Sequence, residues 1–219
     1  MELDDMRTAW RALTQELSAQ RQLNLALLKE NRLDSTRRTL RPLHWGQRVQ
    51  IICGVALAVI AAPFWLSHLG EPHLVTVGVI SHLYALTLII TGARTLRQLG
   101  RLDFGVPVVE IQAQIARLEQ IHVQNGWLVG LPWWLVWLPI SLLGLGLFGV
   151  DVYADVPRGW ILYSVGFGVI GASVTVLVYR WAINSAVPAR AARARELAAG
   201  KDFARAQAYL AEIRRFEEA

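Results

Sequence analysis

His82 is the one ionisable side chain deep inside a long apolar run, with Ser81, Thr87 and Thr91 as its polar neighbours in sequence. A histidine there either relays protons and meets a ligand, or stays neutral and hydrogen-bonds between helices; the second use is the commoner. Trp133, Trp134 and Trp137 cluster between Pro132 and Pro139, with Trp133 and Trp137 on one helical face. They read as a ligand platform or, more simply, as interfacial anchors and packing. His82, Trp133 and Trp137 are thus the candidate lining of an intramembrane cavity. His68, Glu71 and His73 bring together the imidazole and carboxylate ligands that zinc accepts. No fourth ligand stands beside them, although Asp151 and Asp155 occupy another loop. Asp103-Phe104-Gly105 spells the magnesium-binding tripeptide of protein kinases, but no Gly-rich loop or catalytic-loop motif accompanies it, so the match is read as accidental. Gly-x-Ser-x-Gly, Walker and His-Glu-x-x-His patterns are absent. Cys53 is the only cysteine, which excludes an intrachain disulfide and a cysteine metal cluster. No catalytic, cofactor or metal residue is assigned, and a protein without enzymatic activity or cofactor is expected.

These residues must be positioned by four apolar segments, Val49–Leu69, Leu74–Ala93, Trp127–Val150 and Trp160–Ile183. Each is long enough to cross a hydrocarbon core of about 30 Å as a helix. The runs are continuous rather than alternating, which rules against a β-barrel. At 54% hydrophobic residues, the expected class is an all-α integral membrane protein. Short loops then pair the spans into two hairpins. The segments contain no Asp, Glu or Lys, and no Arg before Arg180 at an edge, which counts against ion-coupled transporters and pumps.

Of the 22 Lys and Arg residues, all except Arg158 lie on one side of these spans. The positive-inside rule then places both termini in the cytoplasm. It accounts for the net charge of +5 without nucleic acid, which is not expected as a partner. Arg outnumbers Lys by 20 to 2, a bias of GC-rich bacterial genomes, and this favours a bacterial inner membrane. Residues 1–48 precede the first span and are mostly polar, so no cleavable signal is expected there. Arg37-Arg38 loosely resembles a twin-arginine export signal, but it lies mid-chain and is read as part of a basic helix. Trp45, Trp127 and Trp181 fall near the inner headgroup level, and Trp65 and Trp160 near the outer one.

The expected organisation is a cytoplasmic amphipathic segment over 1–48, a hairpin over 49–93, a cytoplasmic helix over 94–126, a hairpin over 127–183 and a helical tail over 184–219. Leu3, Met6, Trp10, Leu13 and Leu17 form a heptad-like stripe continued by Leu27, with Gln20, Asn24 and Asn31 at stripe positions. The stripe fits either self-association or packing against another helix of the same chain. Asp34-Ser35-Thr36 reads as a cap that opens a second, basic helix. Ile111, Ile115, Leu118 and His122 repeat at helical spacing, and Asn125-Gly126 predicts the end of that helix. Phe203, Ala206, Leu210 and Ile213 make the stripe of the tail, after a break at Gly200 and a cap at Asp202. Gly54, Ala58 and Ala62, and likewise Ser164, Gly168 and Ala172, are small residues at four-residue spacing that let helix backbones approach. Pro139 predicts a kink.

Leu3-Asp4-Asp5-Met6 with Ala9-Trp10, Leu27 to Asp34, Leu40 to Gln47, and Gly130-Leu131-Pro132-Trp133-Trp134 resemble a group of uncharacterised bacterial four-span membrane proteins. The resemblance implies an inner-membrane location and carries over no site residues. The expected function is a non-enzymatic membrane protein that uses its cytoplasmic helices for protein–protein interaction, signalling or regulation. A homodimer or a cytoplasmic protein is the expected partner, beside the lipid bilayer. The alternative is a small transporter or transport accessory with a cavity near His82.

Overall fold

The computed structural model of the protein describes residues 2–150, 157–184, 193–194, 197 and 200–218. Ahead of Glu30, side chains are described at Trp10, Glu16, Gln20 and Leu27 only, and at Arg158, Lys201, Arg214 and residues 216–218 the backbone alone is described. The described residues are almost all helical, with no strand among them. Among the described residues five helices are delimited, in order: α1 Glu2–Ser67, α2 Pro72–Gly100, α3 Val108–Leu147, α4 Arg158–Ile183 and α5 Lys201–Glu218. The first four contain stretches long and apolar enough to cross a membrane.

Two helices run on where the sequence predicts a break. α1 passes straight through Asp34-Ser35-Thr36. The hydroxyls of Ser35, Thr36 and Thr39 turn back to the carbonyls of Asn31, Arg32 and Ser35, each at 2.9 Å, and so do not compete for a cap. Asp34 instead accepts from Arg38 Nε at 2.9 Å. α3 likewise continues through Asn125-Gly126. Asn125 turns its amide sideways to α2, and Gly126 is not among the glycines with positive φ. The break at Gly200 is present, with φ +94°, a conformation glycine adopts without a Cβ clash.

α2 runs back along the C-terminal half of α1, and the pairing is closest where small residues recur every seven positions. Gly54 meets Ala85, Leu88 and Ile89; Gly92 meets Ile51 and Gln47; Gly78 meets Trp65 and Phe64. Gly54 and Ala61 of α1 thus face Gly78, Ala85 and Gly92 of α2. Gly54 sits in this seam, whereas Ala58 and Ala62 are half-buried beside it. α3 packs on α2, and α4 on α3. Ser164 is buried, and Gly168 and Gly171 lie under Trp134, while Ala172 is half-buried.

The apolar windows bury only 11% to 33% of their residues inside the protein. Ile52, Leu162, Phe167 and Leu177 point outward, each more than half exposed. Such a surface is stable only against an apolar surrounding. The largest buried cluster lies elsewhere, at the basic end. Leu40 of α1, Val108, Ile111, Ile115 and Leu118 of α3, and Phe203, Ala206, Leu210 and Ile213 of α5 form it.

Candidate functional site

The basic-end core is assembled from three amphipathic stripes. Leu33, Thr36, Leu40 and Leu43 recur at three- and four-residue spacing on α1, so they share one face. That face meets the α3 and α5 stripes, and burial of each Leu or Ile side chain there contributes roughly 1.5–3 kcal/mol. Polar contacts rim it. Arg32 bonds Glu212 at 2.7 Å and lies 5.5 Å over the ring of Tyr209; Gln207 donates to Glu119 at 2.7 Å. His122 lies 5.6 Å from the ring of Phe203, and burial holds its pKa below the usual histidine value.

Asp103-Phe104-Gly105 has a local structural role here. Asp103 Oδ1 accepts from the Gly105 backbone N–H at 2.8 Å, a side-chain turn. Gln114 holds the Asp103 N–H at 3.0 Å. Phe104 packs against the core and carries the Arg37 guanidinium 4.6 Å from its ring centre.

Beyond this core α1 continues as helix toward its start at Glu2. Gln20, Leu27 and Asn31, three positions of the heptad stripe, are exposed, and so is Trp10. The side chains of Leu3, Met6, Leu13 and Leu17 lie outside the described residues. The intrachain cover of α1 by α5 reaches Arg32. Leu33, Thr36, Leu40 and Leu43 lie roughly on the opposite side of α1 from Asn31, so the packed face is not a continuation of the stripe, whose positions at Gln20, Leu27 and Asn31 are exposed.

A polar stitch joins the first three helices near that end of the apolar layer. Gln50 of α1 donates to Leu88 O at 3.0 Å and Thr91 Oγ1 at 2.9 Å. Asn125 of α3 donates to Thr91 O at 3.1 Å and Thr95 Oγ1 at 2.9 Å. Tyr84 OH reaches Val129 O at 3.1 Å. Inside an apolar layer each such bond fixes helix register, at about 0.6–2 kcal/mol. Gln50 belongs to no motif in the sequence, and Asn125 reads there as part of a helix end. The visible signal was the Thr91/Thr95 pair, one turn apart and opposite two amide side chains.

The candidate cavity residues are not gathered around one space. His82 is half-buried, and its Nδ1 is buried with no hydrogen-bond partner. Trp133 is exposed and lies 6.2 Å from the Tyr84 ring, while Trp137 meets Trp160 at 6.5 Å. One cavity of about 410 Å³ lies between α2, α3 and α4, lined by Thr76, Ile80, Pro139 and Ile161 among others. A second, of about 660 Å³, lies between α3 and α4 around Trp127, Gly130, Val178 and Tyr179. A third, about 420 Å³, is a basic groove on α1. None of them is lined by His82, Trp133 or Trp137.

His68 closes the end of α1: its Nδ1 lies 2.8 Å from Phe64 O and 3.0 Å from Ser67 Oγ. Glu71 approaches His73 Nε2 at 3.8 Å. Among the described residues no three His, Cys, Asp or Glu side chains come together to hold a metal; Asp151 and Asp155 lie outside them. The arrangement brings together packing stripes, aromatic contacts and exposed guanidinium groups. In comparisons with known proteins, no family model, curated protein or solved structure matches the chain.

Proposed function

We propose that this chain is a non-enzymatic, four-span bacterial inner-membrane protein that couples a cytoplasmic helical assembly to the bilayer. The spans form two hairpins with both termini in the cytoplasm. The charge split supports this orientation, because only Arg158 among the Lys and Arg residues lies on the opposite side. The observation that carries the reading is the unbroken 66-residue α1. It joins a span, the basic-end core and an N-terminal heptad stripe in one rigid element. An isolated helix is marginal in water without a partner for its apolar face. The stripe is therefore the surface that meets another helix, and a second copy of this chain is the simplest partner, with Asn24 and Asn31 available to set register. The transport alternative draws less support, because His82 lines none of the three cavities described above.

Crosslinking in native membranes tests the reading. In a Cys53→Ala background, Leu13→Cys places a thiol on the stripe and Gln15→Cys places one on the opposite face. Mild oxidation is expected to give a covalent dimer with the first and little with the second. Monomer alone from both would count strongly against self-association through this helix.

A further inference from the structure

Along α1, Arg37, Arg41, His44 and Arg48 recur at intervals of four, three and four residues. At 100° per residue they fall within about 60° of one another around the helix. Together they line a groove of about 420 Å³ with Trp45. Its floor is apolar, made by Leu40, Leu99, Leu102 and Phe104. Two of the cations are held in place by rings: Arg37 lies 4.6 Å from the centre of Phe104, and Arg48 5.6 Å from that of Trp45. Neighbouring arginines on the same helix are neutralised, Arg32 by Glu212 and Arg38 by Asp34. Among the described residues no carboxylate pairs with Arg37, Arg41 or Arg48. The groove thus concentrates positive charge that the protein itself leaves uncompensated.

The same helical face continues into the apolar layer as Ile52, Val55 and Val59, all exposed. From Arg48 to Val59 the rise is about 16 Å, close to half of a hydrocarbon core of about 30 Å. One face of α1 therefore presents cations and an indole, then an apolar track one leaflet long. A free anion uses only the first part. A phospholipid uses both, with its phosphate at the arginines and an acyl chain along the track. Resting on the membrane placement proposed above, we infer that this face of α1 is a binding site for an anionic glycerophospholipid of the inner leaflet, whose phosphate is held by Arg37, Arg41 and Arg48.

Thermal unfolding of the full chain in a neutral detergent tests it, with phosphatidylglycerol, phosphatidylcholine or inorganic phosphate added in turn. Phosphatidylglycerol is expected to raise the melting temperature, and the other two to leave it unchanged at the same concentration. The R41Q/R48Q variant is expected to keep its lipid-free melting temperature, since both side chains are exposed. It is expected to bind phosphatidylglycerol about fivefold more weakly for each arginine removed. The single R41Q repeats the measurement should the double variant fold poorly, and R38Q, outside the groove, should respond as the unaltered protein does. An equal response to phosphatidylcholine, a response to inorganic phosphate, or unaltered affinity in R41Q would overturn the site. Those results leave the N-terminal stripe standing, because it is read from crosslinking at Leu13, which these substitutions do not reach. A chain that stays dispersed without detergent would overturn the membrane placement and the site together.

Discussion

Gly168 and Gly171 show at single-residue resolution what holds α4 in place. A Cβ on Gly168 would collide with the Trp134 carbonyl oxygen, and one on Gly171 with the Trp134 ring. The backbone approach, rather than any hydrogen bond, makes this contact, and backbone atoms cannot yield as a flexible side chain does. Gly168→Leu is expected to lower unfolding stability in detergent by about 1–3 kcal/mol. Gly130→Leu, with nothing within 4 Å of its Cβ, is expected to stay within about 0.5 kcal/mol. Equal losses from the two would show that the α3–α4 approach is not what the glycine provides. The four-residue spacing made Gly168 visible in the sequence; Gly171 was not, because its use depends on where a tryptophan from another helix lands. The same limit applies to Asp103-Phe104-Gly105. The tripeptide suggests chemistry by its letters, yet its carboxylate spends one oxygen on the Gly105 N–H and its phenyl ring joins a core.

At the scale of elements, the stripes Ile111-Ile115-Leu118 and Phe203-Ala206-Leu210-Ile213 were legible, and both are buried as spaced. Periodicity survives because it reports which face of a helix avoids water. Helix ends were less legible. A Ser-Thr run signals a helix start only when a side-chain oxygen accepts from a free backbone N–H of the first turn; in α1 the Ser35 and Thr36 hydroxyls donate to carbonyls one turn back instead. In α3 the longer-range bonds of Asn125 to α2 override the local preference of Asn-Gly for a helix end. The core between α3 and α5 has a pH dependence of its own. Burial beside Phe203 lowers the pKa of His122, so folding disfavours its charged form. The unfolded chain takes up the proton near the ordinary value of about 6.5. Stability from this group is therefore full above that pH and falls as pH drops toward the lowered folded value. His122→Gln should remove the effect. The comparison is the unfolding midpoint of both proteins at neutral and mildly acid pH, and parallel shifts would exclude His122 as the cause.

The whole molecule divides into an apolar layer that buries little of itself and a basic end that is packed like a water-soluble core. The proposed membrane placement accounts for the contrast: helices in lipid gain nothing from hiding apolar faces, whereas stripes in water must. Sidedness is testable at this scale. In a Cys53→Ala background, Gly70→Cys should react with a membrane-impermeant maleimide in intact spheroplasts, and Gln20→Cys only after permeabilisation. The reverse pattern would invert the proposed topology. The sequence by itself determined four apolar helices, the charge asymmetry and the stripes of the polar segments, since these depend only on side-chain type and helical period. Only the tertiary structure decided that α1 is one helix from Glu2 to Ser67. It alone decided that small residues seven apart form the α1–α2 seam, and that Gln50, Thr91, Thr95 and Asn125 stitch three helices together. Those outcomes depend on which backbones come close enough for contact, and such distances are set between segments far apart in the chain.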